Sequence, residues 1–174
     1  MKNVYILISV LFTSIIFAQE RVKTYDIVTN RGIAYKKSNT TIFSGIAESR
    51  KSNGHLNSEK EYIDGFLNKY TLYYNINEKV ISSETFYHKI SGEKKKHITY
   101  PHKGNLKTVT VFDENGEKLL EEHYIDDALV YHCEYLNGKK HGTIYSIDND
   151  NIKSICQYDN GKRISSSKEK VNVR

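Results

Sequence analysis

The chain has 174 residues, a length that suits one domain or a short repeat array. Lys and Arg number 26 against 21 Asp and Glu, so the formal net charge is +5. Because acidic and basic residues alternate along the chain, the pattern is typical of a mixed-charge surface, and nucleic acid is not an expected partner. The 14 Tyr residues favour half-buried faces of a β-sheet.

Residues 1–18 are predicted to be an export signal. Lys2 precedes an apolar run from Val4 to Phe17, and the small residue Ala18 comes before a polar segment. This combination is typical of a Sec signal peptide cleaved after Ala18, and the run is short for a membrane span, which needs about 20 apolar residues. The alternative is an uncleaved signal anchor. We therefore expect an extracytoplasmic protein (periplasm, cell surface or secreted) with no transmembrane span after cleavage.

A spacing rule recurs along the rest of the chain, in which a turn-type residue is followed by an aromatic residue eight positions later. The successive starts of these pairs are separated by 24, 26, 12, 11 and 23 residues. These intervals are close to one or two steps of about 12 residues, and a fixed period of this kind indicates a repeat array. The six pairs are Gly54–Tyr62, Glu78–Phe86, Gly104–Phe112, Gly116–Tyr124, Asp127–Tyr135 and Asp150–Tyr158.

Tight turns follow several of these aromatic residues. Asp64-Gly65, Asn137-Gly138 and Asn160-Gly161 tolerate the positive φ angles that two-residue hairpins require. Asp126-Asp127 takes the same place without a Gly, and an Asp can adopt the left-handed conformation at some cost.

Alternation between the turns predicts half-buried strands. Leu129, Tyr131, Cys133 and Tyr135 would share one face of a strand, for example. Short strands joined by tight turns predict an all-β fold, an antiparallel meander of hairpin repeats in an open or curled single-layer sheet. The alternative is a small barrel or sandwich, which would hide the sheet edges.

The segment Asn137-Gly138-Lys139-Lys140-His141-Gly142-Thr143-Ile144-Tyr145 resembles the MORN repeat, in the variant found in bacterial proteins called YwqK-family antitoxins. Residues 158–162 match the first half of this repeat, and residues 62–65 match in part. The resemblance covers about residues 45–164 and departs furthest between Phe86 and His102. It implies a single-layer array of MORN-like β-hairpins, and the antitoxin label of the family implies a protein partner.

Four segments follow from these patterns. Residues 1–18 are the signal peptide, residues 19–44 an N-terminal arm with the first strands, residues 45–164 the hairpin repeats, and residues 165–174 a flexible C-terminal tail. The residues expected to shape the repeats are Tyr62, Gly65, Phe86, Phe112, Gly116, Tyr124, Tyr135, Gly138, Gly142, Tyr145, Tyr158 and Gly161.

Catalytic patterns are absent from the sequence. We find no nucleophile motif, no Gly-rich phosphate loop and no metal-binding His pair, so no catalytic residue, cofactor or metal site is expected. The neighbouring acids Glu121 and Glu122 would point to opposite faces of a strand and could not form a dyad. The basic stretch Gly92–His97 is interpreted as a solvated loop tip, with contact to anionic lipid or polysaccharide as the alternative.

Cys133 and Cys156 are predicted to be unbridged. They lie two residues before equivalent aromatic residues, so two strands per repeat would place them two strand spacings apart. That distance, roughly 9.6 Å, exceeds the separation of about 7 Å between Cα atoms that a disulfide allows.

The sequence favours an exported, non-enzymatic β-repeat protein that acts as a protein-interaction module through an exposed, Tyr-rich face. One alternative is an antitoxin-like or immunity-like neutralising protein. Another is an envelope carbohydrate-binding domain, which would need aromatic rings flanked by Asn, Asp and Lys at one end of the sheet. The oligomeric state stays open.

Overall fold

The computed structural model describes residues 19–172, so the predicted signal peptide lies outside the described residues. This part of the chain forms fourteen strands and one 3-10 turn, Thr24–Asp26. The strands are β1 (Arg21–Lys23), β2 (Ile27–Asn30), β3 (Ile33–Lys36), β4 (Gly45–Arg50), β5 (Leu56–Ile63), β6 (Phe66–Tyr73), β7 (Ile81–Tyr87), β8 (Lys94–Thr99), β9 (Leu106–Phe112), β10 (Lys118–Ile125), β11 (Ala128–Leu136), β12 (Lys139–Ile147), β13 (Ile152–Asp159) and β14 (Lys162–Lys170).

Twelve strands form one sheet in which the spatial order follows the chain order, from β1 and β4 through to β14. β1 pairs with β4 in parallel, and each later pair of neighbours is antiparallel. β2 and β3 form a separate hairpin. The sheet is not closed, which confirms the predicted open meander and rules out the barrel or sandwich. No part of residues 19–172 forms a helix with the length and apolarity of a bilayer span.

Left-handed backbone at the predicted positions makes the two-residue turns. The φ angles are 52° and 80° at Asp64 and Gly65, and 51° and 72° at Asn137 and Gly138. Asp126 and Asp127 reach 50° and 62° without any glycine. Turns with positive φ at both central residues match the twist of the flanking strands, which explains how such short loops can join neighbouring strands.

The repeat unit is a pair of strands. We call the turns after β5, β7, β9, β11 and β13 the lower turns. Each strand that enters a lower turn carries one aromatic residue at the place where the pairing register shifts. These residues, Tyr62, Tyr87, Phe112, Tyr135 and Tyr158, follow one another at intervals of 25, 25, 23 and 23 residues.

Tyr87, and not the expected Phe86, is the repeat aromatic of β7. The register shifts between these two residues, and Tyr87 pairs with Lys94 beyond the shift while Phe86 pairs with Lys96 before it. Adjacent strand residues point to opposite faces, so Phe86 lies on the other side of the sheet.

A bulge in β11 also changes which of its residues share a face of the sheet. Tyr124 pairs with Leu129 and His123 pairs with Tyr131, so Val130 is an extra residue. The extra residue moves Leu129 out of phase with Tyr131, and the predicted common face is wrong for Leu129.

Two segments that the sequence predicted to be irregular form strands in the structure. Lys94–Thr99 forms β8, so the basic stretch Gly92–His97 is not a solvated loop tip beyond its first two residues. Residues 165–170 belong to β14, which pairs along its length with β13. The predicted tail boundary at residue 164 is therefore wrong, although each residue of β14 is exposed, in line with a segment that has no apolar anchor.

The most buried packing lies at the N-terminal end of the sheet. Ala34, Phe43 and Ala47 are almost completely buried, and the rings of Phe43 and Tyr62 meet edge to face at 5.8 Å between centroids. The β2–β3 hairpin is held to the sheet by a hydrogen bond from the Ala34 amide to the Gly65 carbonyl. The hairpin thus covers one end of a sheet that otherwise has a thin core.

Candidate functional site

One face of the sheet can be traced by residues that pair in succession from strand to strand. The row runs through Thr85, His97, Thr110, Glu121, Cys133, Ile144 and Cys156. We call this side the ladder face. The repeat aromatics Tyr87, Phe112, Tyr135 and Tyr158 lie two residues beyond members of this row, so they lie on the same face near the lower turns.

Each of these four aromatic residues is paired with a basic residue of the next strand. The pairs are Tyr87–Lys94, Phe112–Lys118, Tyr135–Lys140 and Tyr158–Arg163. We call this arrangement the aromatic–basic ladder. Equivalent members of successive pairs are two strand spacings apart, roughly 9.6 Å. The site is therefore a regular line of rings and positive charges that runs across the strands.

Bulges position the basic residues of the ladder. In β8 the extra residue is Lys95, because Phe86 pairs with Lys96 and Tyr87 with Lys94. Leu119 has the same role in β10. Without the extra residue, the alternation of the strand would turn the basic side chain to the opposite face.

Contacts between repeats join the pairs into a continuous row. Lys118 Nζ lies 4.0 Å from the ring centroid of Tyr135, and Lys140 Nζ lies 5.7 Å from that of Tyr158. Both distances are within the range of a cation–π attraction. Each lysine thus contacts the ring of the following repeat as well as pairing with the ring of its own.

Most of the charge of the ladder is open to solvent. Lys94, Lys140 and Arg163 are exposed. Within residues 19–172, Lys118 is the member of the ladder that forms an ion pair, with Glu121 at 2.8 Å. The other three cations are free to meet an external anion.

The rings of the ladder are partly buried at their sides. Burial raises the pKa of the Tyr87 phenol, and burial together with the Cys133 thiol raises that of Tyr135. Both phenols therefore stay neutral at physiological pH and present a hydroxyl and a ring edge, which can contact both polar and apolar groups.

The opposite face uses its tyrosines internally. Tyr73 donates a hydrogen bond to Glu59 at 2.5 Å, Tyr100 to Glu84 at 2.8 Å and Tyr124 to Glu122 at 2.6 Å. Burial and the bond to Glu84 raise the pKa of Tyr100 to about 12, and the bond to Glu122 with burial raises that of Tyr124 to about 12. These hydroxyls hold the glutamates and are not presented to a ligand.

Glu59 is the most strongly bound carboxylate of this face. It accepts hydrogen bonds from Arg21 at 2.7 Å, from Tyr73, and from Lys79 at 3.0 Å. Burial opposes ionisation, but these donors outweigh it and lower the pKa of Glu59 to about 2. Glu59 is thus an ionised anchor that joins β1 to the loop between β6 and β7.

Glu121 and Glu122 share no partner, as the sequence predicted. Glu121 contacts Lys118 and His123 on the ladder face, and Glu122 contacts Tyr124 and His132 on the other. His132 stacks on Tyr145 with 5.4 Å between ring centroids. Among residues 19–172, no three His, Cys, Asp or Glu side chains lie close enough together to hold a metal ion.

The remaining predicted repeat residues have local roles in the strands and turns. Gly116 has a φ of 83° in a turn where Asp113 Oδ1 accepts the amide hydrogens of Asn115 and Glu117. Gly161 has a φ of 88°, and its amide donates to the Lys140 carbonyl at 2.8 Å.

Gly142, another predicted repeat residue, lies inside β12 at a bulge. Its φ is 72°, and a Cβ there would overlap Glu134, whose carboxylate accepts the Thr143 amide hydrogen at 2.5 Å. The left-handed φ therefore favours glycine, and any larger residue would also have to displace the Glu134 carboxylate from the Thr143 amide.

Comparison with known proteins adds no further assignment, because no family model, no curated protein and no solved structure matches this chain.

Proposed function

We propose that the protein is an exported, non-enzymatic interaction module that binds an extended protein partner along the aromatic–basic ladder. The observation that carries this proposal is the repetition of an aromatic residue paired with a basic one in four successive repeats. An export signal at residues 1–18 would place the ladder outside the cytoplasm.

The physical basis is that the ladder combines two kinds of contact that protein interfaces favour. Aromatic rings on a hydrogen-bonded sheet provide contact area with little loss of side-chain freedom on binding. Exposed cations attract acidic residues and speed association, since the charges of partner and site are complementary. We therefore expect the partner to present acidic side chains along a segment that crosses the strands.

The test is affinity purification of the tagged protein from its native envelope, followed by mass spectrometry. The variant Lys140→Glu/Arg163→Glu reverses two charges of the ladder. The matched control Lys51→Glu/Lys103→Glu reverses two exposed lysines in turns at the other ends of the strands. We expect one dominant protein in near-equal amount with the wild type and the control, and its loss with the ladder variant.

Retention of the same protein by the ladder variant would contradict the proposed binding face. A recovered partner whose activity the protein suppresses would make the module a neutralising protein, the role that the antitoxin label of the resemblance implies.

An envelope polysaccharide is a second candidate ligand, because the ladder has the feature that this function needs. Its rings lie at one end of the sheet beside the lower turns, where Asn137 and Asn160 accompany Lys140 and Arg163. Rings can stack on sugar faces while the amides and cations bind hydroxyl and acidic groups. Recovery of glycan fragments in place of a protein, again dependent on the ladder residues, would favour this function.

A further inference from the structure

A cavity of about 410 Å³ lies between the turn of the β2–β3 hairpin and the lower turns of the first two repeats. The hairpin contributes Arg31 and Gly32, the first repeat contributes Tyr62 and Phe66, and the second contributes the segment from His88 to Gly92. The hairpin is held against the sheet where Ala34 and Phe43, which follows the hairpin in the chain, pack with Tyr62, and the hairpin turn lines the cavity together with the lower turns.

The charge of the cavity has one sign. Arg31, Lys60 and Lys89 contribute to its lining, and among residues 19–172 no Asp or Glu does. Lys89 has a carboxylate neighbour outside the lining, Asp64, with 3.2 Å between Nζ and Oδ2. Arg31 and Lys60, together with Lys89 and its Asp64 partner, leave the lining with an excess of positive charge, which a bound anion would neutralise.

The walls offer ring surfaces as well as charge. Tyr62 and Phe66 both line the cavity, and Lys89 Nζ lies 5.6 Å from the centroid of the Phe66 ring. The turns have room to accept a ligand, since a Cβ at Gly32 or Gly92 would meet no atom within 4 Å. Charge beside aromatic surface suits a ligand whose anionic group is attached to a ring.

We propose that this cavity binds a small ligand, or the end of a longer one, in which a carboxylate or a phosphate is carried by a ring such as a sugar. The guanidinium of Arg31 would pair with the anion in two-pronged geometry, and the partly exposed ring of Phe66 would contact the sugar face, since Tyr62 is only 6% exposed. The site does not rest on the ladder, because none of the four ladder pairs lines the cavity.

The experiment is an NMR titration of the purified, ¹⁵N-labelled protein with glucose 6-phosphate, glucuronate, inorganic phosphate and glucose. Glucose 6-phosphate or glucuronate is expected to shift the amide signals of Arg31, Gly32 and Gly92 at saturable concentration. Inorganic phosphate is expected to shift the same signals more weakly, and neutral glucose to leave them unchanged. Signal shifts with the phosphate ligands and not with glucuronate would identify a phosphate site. Shifts with glucuronate and not with the phosphate ligands would identify a carboxylate site.

Two charge-removing variants, Arg31→Gln and Lys60→Gln, test the assignment, and Lys103→Gln is a control at an exposed lysine far along the strands. Each cavity variant is expected to weaken the apparent Kd about tenfold, and the control to leave it unchanged. Unchanged melting temperatures would show that the variants are folded. Equal affinity in all variants, shifts confined to the ladder residues, or equal shifts with glucose would each overturn the proposal.

Discussion

Cys133 and Cys156 lie on the same face of the sheet with Ile144 of the intervening strand between them. Both thiols are free, as the spacing of the repeats predicted. Two strand spacings, roughly 9.6 Å, exceed the reach of a disulfide, and closing one would require the loss of β12 from the sheet.

We therefore predict two free thiols in the native protein, even under oxidising conditions. Alkylation under denaturing, non-reducing conditions should modify both cysteines, as read by mass spectrometry. In the folded protein Cys156 should react first, because Cys133 is completely buried while Cys156 is partly exposed. An unalkylated protein whose mass is two hydrogens below that of the reduced chain would contain a disulfide, and this would mean that the strands pair differently.

Alanine at Gly142 should destabilise the fold more than alanine at Gly138. Both glycines have a φ of 72°, so each substitution incurs the left-handed penalty of roughly 1–2 kcal/mol. A Cβ at Gly138 meets no atom within 4 Å, whereas one at Gly142 overlaps Glu134 and displaces its bond to the Thr143 amide. The free energy of unfolding, from urea titration, should fall about 1 kcal/mol further in Gly142→Ala. Equal losses would show that Glu134 does not constrain the bulge.

Glu59 should make the stability dependent on pH in acid. Its pKa falls from an ordinary 4.5 to about 2 in the folded protein. The folded state therefore binds the proton less readily, so the stabilisation is complete above pH 4.5 and is lost as the pH falls from there towards 2. Glu59→Gln should lower the free energy of unfolding at pH 7 by about 1–3 kcal/mol and flatten its dependence in that range.

The exposed Glu114 provides the control for this titration, since Glu114→Gln should leave the curve unchanged. A pH profile of Glu59→Gln that follows the wild type would show that other carboxylates are responsible for the acid sensitivity.

Phe43 should be the main anchor of the hairpin to the sheet. It is completely buried against Tyr62, so Phe43→Ala should cost about 3–5 kcal/mol of stability. Ile90→Ala should have a negligible effect, because that side chain is 97% exposed. Hydrogen exchange should also accelerate at the Ala34 amide, which bonds to Gly65. Slow exchange there in Phe43→Ala would indicate that the backbone contacts hold the hairpin without the ring.

Charged side chains on the last strand should protect the protein from self-association. β14 is a free edge of the sheet, and Lys168, Glu169 and Lys170 are exposed on it. Charged side chains discourage pairing between edges of separate molecules. Lys168→Val/Lys170→Val should therefore promote self-association, measured by analytical ultracentrifugation. A strictly monomeric variant at high concentration would show that the edge is protected in another way.

The sequence predicted the fold class because its signals are local. Alternation along each strand and dipeptides such as Asn137-Gly138 depend on neighbouring residues only, and the turn angles follow from them. The ladder was missed because the partner of an aromatic depends on where a bulge falls. An eight-residue count from Glu78 ends at Phe86, whereas the register shift selects Tyr87.

A signal for the ladder was nevertheless present in the sequence. With Tyr87 in place of Phe86, the aromatics recur at intervals of 25 or 23 residues, and each of the last four precedes a basic residue on the far side of a short turn. The cavity offered no such signal, because Arg31 and Lys60 come to line it through the packing of the hairpin on the sheet and not through any spacing in the chain.

Because the strand order follows the chain order, the number of repeats sets the length of the ladder. In such an array each repeat touches the one before and the one after it, so a whole repeat can be removed or added without rearranging the others. Removal of one two-strand unit would take away one ring and one charge and shorten the ladder by roughly 9.6 Å. If the ladder binds an extended partner as proposed, the number of repeats sets the length of partner that it contacts, and the gain or loss of one repeat would change that length in a single step.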